Sequence, residues 1–184
     1  MLYENVIDLL EKYTAKYSEK DASEVYELAM NNKEIVSRSN TEGHVTASGL
    51  VLHGDKLLLI FHKKLQRYLQ PGGHLEVDDK SVIEAAIKEV EEETGVKAVP
   101  YGEEEESDEI VLPIYIDIQN IPYNEKKNEK EHQHYDFMFL LKADNSNVDL
   151  KIDEVEDFKW VSLDYDFKEV GLTKAVEKIK STTE

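Results

Sequence analysis

The sequence contains no cysteine. That absence excludes disulfides, thiol nucleophiles and cysteine-based zinc sites together. Long apolar runs are missing too: no stretch reaches the roughly 18 consecutive apolar residues of a membrane span, so no membrane partner is expected. The opening residues, MLYENVIDLLEKY, carry acids early and no basic leader. A secretory signal is therefore not expected, and the chain is assigned to the cytoplasm. Positive charge is the third shortage. Lys and Arg number 22 against 40 Asp and Glu, a formal net charge of −18. Nucleic-acid backbones are recognised through Lys and Arg, which argues against duplex nucleic acid as a partner. A small anionic substrate would be repelled as well, so a chain that handles phosphates needs bound cations to reverse the local field. Without such a role the acidity would serve only solubility.

The 184 residues are enough for one domain with a real core, and 40% hydrophobic with 34% charged content is ordinary for a globular chain. Residues 1–40 read as a helical prefix packed on the main domain. Leu2, Val6, Leu9, Leu10 and Tyr13 recur at helical spacing, and Ser18-x-x-Asp21 can open a second helix with Ala22, Val25, Tyr26 and Ala29 inward. Strands are predicted over His44–His53 and Lys56–His62, joined at Gly54-Asp55. Strict alternation of Ile110, Leu112, Ile114, Ile116 and Ile118 predicts another, followed by His134–Leu141 and Phe158–Leu163. Gly171–Lys180 closes as a helix. Tyr101–Glu109 and Tyr123–Glu131 read as loops. This order suggests an α+β fold with a mixed sheet. The prefix helices could cover the core of their own chain or pack across a homodimer.

Residues 72–96, GGHLEVDDKSVIEAAIKEVEEETGV, hold most of the chemistry. Two glycines allow close approach to the backbone. Ser81 can cap a helix with Glu84 completing a capping box, Ile83, Ala86, Ile87 and Val90 are expected to form its buried stripe, and Gly95 ends it. Glu89 and Glu93 lie one turn apart on one side, with Glu92 beside them and Ala85 leaving room one turn earlier. Carboxylates in a last turn oppose the helix dipole and repel one another. A divalent cation with oxygen ligands would relieve that conflict. A merely solvated acidic face is the alternative for the helix taken alone.

With its glycines included, the stretch resembles the Nudix box, G-x5-E-x7-R-E-U-x-E-E-x-G-U, where U is a bulky apolar residue. Lys88-Glu89-Val90-Glu91-Glu92-Glu93-Thr94-Gly95-Val96 fits the second half, with Lys88 in place of Arg. In the first half Gly73 is followed by Asp79 at the Glu position, and one extra residue then intervenes before Lys88. The flanking strands and the Trp160 strand resemble the same family. The resemblance implies a Nudix-type α/β/α sandwich over residues 41–184. It also implies a metal-dependent hydrolase that cleaves a pyrophosphate bond in a nucleoside diphosphate linked to another group, or in a similar phosphorylated small molecule. Mg²⁺ or Mn²⁺ is the implied cofactor. Glu89, Glu92 and Glu93 are then the catalytic residues and metal ligands, with the Gly73 carbonyl nearby. Either Glu89 or a carboxylate from a later loop, such as one of Glu103–Glu106, would be the general base, and Asp78 or Asp79 would take the first Glu's structural place. Lys88 matches an Arg that orients the catalytic Glu, and keeps the charge without the bidentate fork.

His132, His134 and Asp136 alternate, so on a strand they share one face, about 7 Å apart. They could contact substrate or supply further metal ligands. His74, Lys88, His134 and Asp136 are the expected substrate-binding residues. Lys63, Lys64 and Arg67 form a basic island that could hold phosphates or simply be solvated. Two other functions compete. An isopentenyl-diphosphate isomerase uses a related fold but normally recruits a cysteine. A non-catalytic nucleotide-sensing module commonly has an eroded box, whereas Glu89, Glu92 and Glu93 are intact here.

Overall fold

A computed structural model gives the structure of residues 1–102, 110–125, 128–150 and 155–183. The chain opens with helices α1 (Leu2–Lys16) and α2 (Lys20–Asn31) and a short 3-10 turn, Lys33–Val36. Strands β1 (Gly43–His53), β2 (Lys56–His62), β3 (Arg67–Leu69) and β4 (Gly72–His74) lead to helix α3 (Val82–Thr94). Strands β5 (Ala98–Pro100), β6 (Tyr115–Ile121), β7 (His132–Ala143) and β8 (Val155–Ser162) follow, and α4 (Val170–Thr183) closes the fold.

All eight strands join one mixed sheet whose central path runs β3-β2-β1-β7-β5. β1 and β7 are parallel over ten registered pairs, from Gly43↔Gln133 to Leu52↔Lys142. The other pairings are antiparallel: β1 with β2 and β4, β2 with β3 and β8, and β7 with β5 and β6. Period-two alternation sends the side chains of β1 to two different cores. Val45, Ala47 and Val51 join one cluster with α1, α2 and α3, including Val6, Leu10, Val25, Ala86 and Val90. Leu50 and Leu52 join a second with Leu172, Ala175, Val176 and Ile179 of α4. Helices therefore cover both faces of the sheet, the α+β sandwich expected. Among the described residues no helix is long and apolar enough to cross a membrane.

Two local readings are corrected. The strand expected from Ile110 begins only at Tyr115. Pro113 has no N–H to give a ladder, and pairing with β7 starts just beyond it, where Ile114 N–H donates to the Met138 carbonyl at 2.7 Å. Ile110 and Leu112 instead pack half-buried on the first core. In α3 the buried stripe is Val82, Ala85, Ala86 and Val90, continued by Glu93, while Ile83 and Ile87 stay half-buried. The helix is thus rolled so that the line Ala85, Glu89, Glu93 faces the protein. Ser81 caps α3 by accepting from Glu84 N–H at 3.3 Å, and Asn5 of α1 accepts from Val82 N–H at 2.9 Å, so the prefix satisfies a second orphan donor. Gly95 ends the helix at φ +67°, as its position demands.

Candidate active site

β4 pairs with β1 so that Gly72, Gly73 and His74 oppose Ser48, Ala47 and Thr46. α3 lies over the glycines. A Cβ on Gly73 would stand 2.5 Å from the Glu89 carboxylate, and one on Gly72 would stand 2.5 Å from Ser48 Cβ and 2.7 Å from the Ala47 carbonyl. Only glycine admits so close a fit at either place. Gly72 N–H donates to Glu93 Oε2 at 2.9 Å, and Glu93 is buried. Glu89 is half-buried and Glu92 exposed. Burial above all, then the Glu92 carboxylate, pushes the Glu89 pKa up to about 7, with Lys88 opposing. These residues fit a hard divalent cation: the side-chain donors are oxygens, their charges crowd one another, and backbone without side chains borders them.

Lys88 reaches back over the loop before the helix. Its ammonium bonds Asp79 at 2.5 Å and Glu76 at 3.2 Å. Burial alone would lower its pKa, but these bonds more than offset that and raise it. Asp79 also accepts from Glu76 N–H at 2.7 Å, closing the turn. Asp79 is thus tied to both Lys88 and the Glu76 backbone, whereas Asp78 is exposed. With its charge committed inside the motif, Lys88 acts on the helix; contact with a substrate does not follow from this geometry.

The opposite face of the same strands is polar in a different way. Successive strand residues point to opposite faces, so His74 turns away from the α3 side occupied by Gly73 and Leu75. It meets His134 and His44, with ring centroids 5.0 and 5.1 Å away. His44 and His134 are registered neighbours on β1 and β7, with centroids 4.8 Å apart. Burial first, then the repulsion that charge on His74, His44 and His132 would exert, lowers the His134 pKa to about 3. His44 is lowered too, again chiefly by burial. Two registered pairs further, Asp136 accepts from Thr46 Oγ1 at 3.1 Å, Ser48 Oγ at 2.8 Å and Gln70 Nε2 at 3.2 Å. Burial nevertheless raises its pKa to about 6.

The residues expected from the sequence thus divide between two faces. Glu89, Glu92, Glu93, Gly73 and Lys88 gather around α3. His74 and His134 gather behind β4, and Asp136 is engaged as an acceptor for three protein donors. Arg67, of the basic island, pairs with Glu169 at 3.0 Å. Glu103–Glu106 lie outside the described residues. Sequence reasoning missed His44, Thr46 and Ser48. Their alternation was visible, but only the parallel register shows that it continues the alternation of His132, His134 and Asp136.

Comparison with known proteins agrees with this architecture. The family model for the NUDIX domain matches residues 43–170. A protein of Lactococcus lactis subsp. cremoris (strain MG1363), named "Probable DHNTP pyrophosphohydrolase", is 34% identical over 145 residues, covering 79% of this chain and 81% of that protein. Among solved structures, a NUDIX-family hydrolase from Clostridium perfringens superposes with a TM-score of 0.57 at 26% identity, over 76% of this chain and 97% of its own. A UDP-X diphosphatase superposes with a TM-score of 0.52 at 16% identity over 99% of this chain, prefix included, and 93% of its own, a likeness of fold alone. With the box helix, its glycine cradle and the mixed sheet all in place, the chain belongs to the Nudix hydrolase family.

Proposed function

We propose that this chain is a metal-dependent pyrophosphohydrolase acting on a nucleoside diphosphate linked to another group, or on a similar phosphorylated small molecule. The observation that carries this reading is the seating of Glu89 and Glu93 against Gly72 and Gly73, with Glu92 beside them. Hydrolysis of phosphoric anhydride bonds is the chemistry of the family. Glu89, Glu92 and Glu93 would hold Mg²⁺ or Mn²⁺, with the Gly73 carbonyl as a further oxygen. A divalent ion bound there supplies charge neutralisation for the pyrophosphate and acidifies attacking water. Lys88, through Asp79 and Glu76, fixes the loop against the helix so that the carboxylates keep their places. His74 and His134 stand as candidates for contact with the non-phosphate part of the substrate. In the same reading the prefix ends near residue 40, the partner is a small molecule rather than duplex nucleic acid or membrane, and the chain works in the cytoplasm.

The relative's name puts DHNTP first among compounds to try. The test is phosphate release, coupled to a phosphatase, from DHNTP, nucleoside triphosphates, nucleotide sugars and ADP-ribose with Mg²⁺ or Mn²⁺. Turnover that Glu93→Gln abolishes supports the reading. Turnover unchanged in Glu93→Gln removes the assignment. Binding without turnover across the panel favours the nucleotide-sensing alternative.

A further inference from the structure

Four of the six histidines gather on the sheet face away from α3, apart from the carboxylates proposed to hold the divalent ion. His44 comes from β1, His74 from β4, and His132 and His134 from β7. One ring nitrogen each from His44, His74 and His134 lies within 4.8 Å of the other two. The hydrogen bonds around the cluster fix which nitrogens carry protons. A carbonyl can only accept, so His44 Nδ1–H donates to the Asn40 carbonyl at 3.1 Å and Nε2 keeps its lone pair. His44 is 1% exposed, and among the described residues no hydrogen-bond partner meets that Nε2. A buried acceptor without a partner is costly. By the same logic His132 Nδ1–H donates to the Lys130 carbonyl at 2.7 Å, leaving its Nε2 as an acceptor. His134 Nε2 lies 3.1 Å from it and must donate, which leaves the lone pair of His134 on Nδ1.

We propose that His44, His74 and His134 form a binding site for a transition-metal ion of the zinc class, separate from the carboxylate site. Imidazole nitrogen suits zinc, cobalt and nickel, whereas magnesium prefers oxygen, so the two faces of the sheet select different ions. Zn–N bonds of about 2.0–2.1 Å in tetrahedral geometry place nitrogens roughly 3.3 Å apart, so the rings close in by about an ångström or more on binding. The outer partners of such a site are already in place. The Asn40 carbonyl orients His44, and His132 orients His134, as second partners of metal-bound histidines do. A groove lined by Arg38, Asn40, His44, Lys130 and His132 borders the cluster on the His44 side. Three protein ligands leave a fourth position for water or an anionic oxygen. The absence of cysteine excluded only thiolate zinc sites; this one is built from nitrogen alone.

The test is titration of the metal-free protein with Co²⁺ in millimolar Mg²⁺, read by visible absorption, with Zn²⁺ as displacing ion. The expected result is one Co²⁺ per chain with ligand-field bands of a nitrogen-rich site. His74→Gln and His134→Gln weaken binding by at least about tenfold, while Glu89→Gln and Glu93→Gln leave the bands intact. Circular dichroism of each variant checks its fold. A second measurement needs no substitution: long-range ¹H–¹⁵N spectra of the imidazole rings, in which Zn²⁺ shifts one nitrogen of each of the three histidines. Absence of the bands, bands that survive both histidine changes, bands lost with the glutamates, or unmoved ring nitrogens would each overturn the site.

Discussion

Gly73 and the Glu89 carboxylate are packed so closely that one added methyl group, 2.5 Å from Oε1, would displace the acid. The expected outcome of Gly73→Ala is a large loss of kcat with the fold retained. A displacement of about 1 Å at a reacting group costs about 10²-fold. Steady-state kinetics and thermal melting, measured together, check it; a variant with parental kcat would show that Glu89 is not held by this contact.

Lys88 and Asp79 act as a positioning pair. Lys88→Ala and Asp79→Asn should each lower kcat/KM by about 10- to 100-fold, the usual range for groups that orient metal ligands. The double variant should lose little more than either alone, because both remove one interaction. Lys88→Arg should retain most activity, since Arg keeps the charge and adds a fork that matches carboxylates. Additive losses in the double variant would contradict the pairing.

Acid should destabilise the fold partly through His134. Its folded pKa of about 3 lies below its ordinary value of 6.5. The contribution is therefore full above pH 6.5 and is lost as pH falls toward 3, because the unfolded chain takes the proton first. Asp136 works in the opposite sense. Its folded pKa of about 6 lies above the ordinary 3.8, so its contribution is full below 3.8 and is lost as pH rises through 6. Urea midpoints measured from pH 8 to pH 4 should fall less steeply with acidification in His134→Gln than in the parent. Equal slopes would mean that His134 is not buried as a neutral ring.

The prefix is fastened to the far end of the chain by Lys178. Its ammonium donates to Tyr13 Oη at 2.8 Å and Glu19 Oε1 at 2.7 Å, and lies 3.4 Å from the Tyr17 ring centroid. Tyr13 in turn donates to Glu19 Oε2 at 2.6 Å. Lys178→Met should cost about 1–3 kcal/mol, because a half-buried acid and a buried phenol lose their shared partner. Urea denaturation measures it. A change within error would show that solvent replaces the ammonium without loss.

Much of this was readable in advance, and the failures have physical reasons. The glycine pair, the carboxylate spacing and Gly95 mark the α3 motif because each rests on local geometry. Ile83 and Ile87 pack on the core only half-buried, which the sequence does not show, because a helix wheel gives relative angles and not how deeply each position sinks. Pro113 delayed β6 because a missing N–H counts for more than an apolar alternation. His44 escaped notice because its partners lie on another strand, and strand register is a property of the folded sheet.

His44, Thr46 and Ser48 meet partners about ninety residues further along the chain. A nascent polypeptide therefore presents β1, β4 and the whole of α3 long before β7 has been synthesised. The glutamates can assemble early from neighbouring segments, whereas the histidine cluster must wait for a long loop to close. In that interval β1 is an open edge, a template for strands of other chains. Surplus negative charge keeps such half-built copies apart. An acidity first read as a demand for cations thus also guards the ribosome's unfinished product against its own kind.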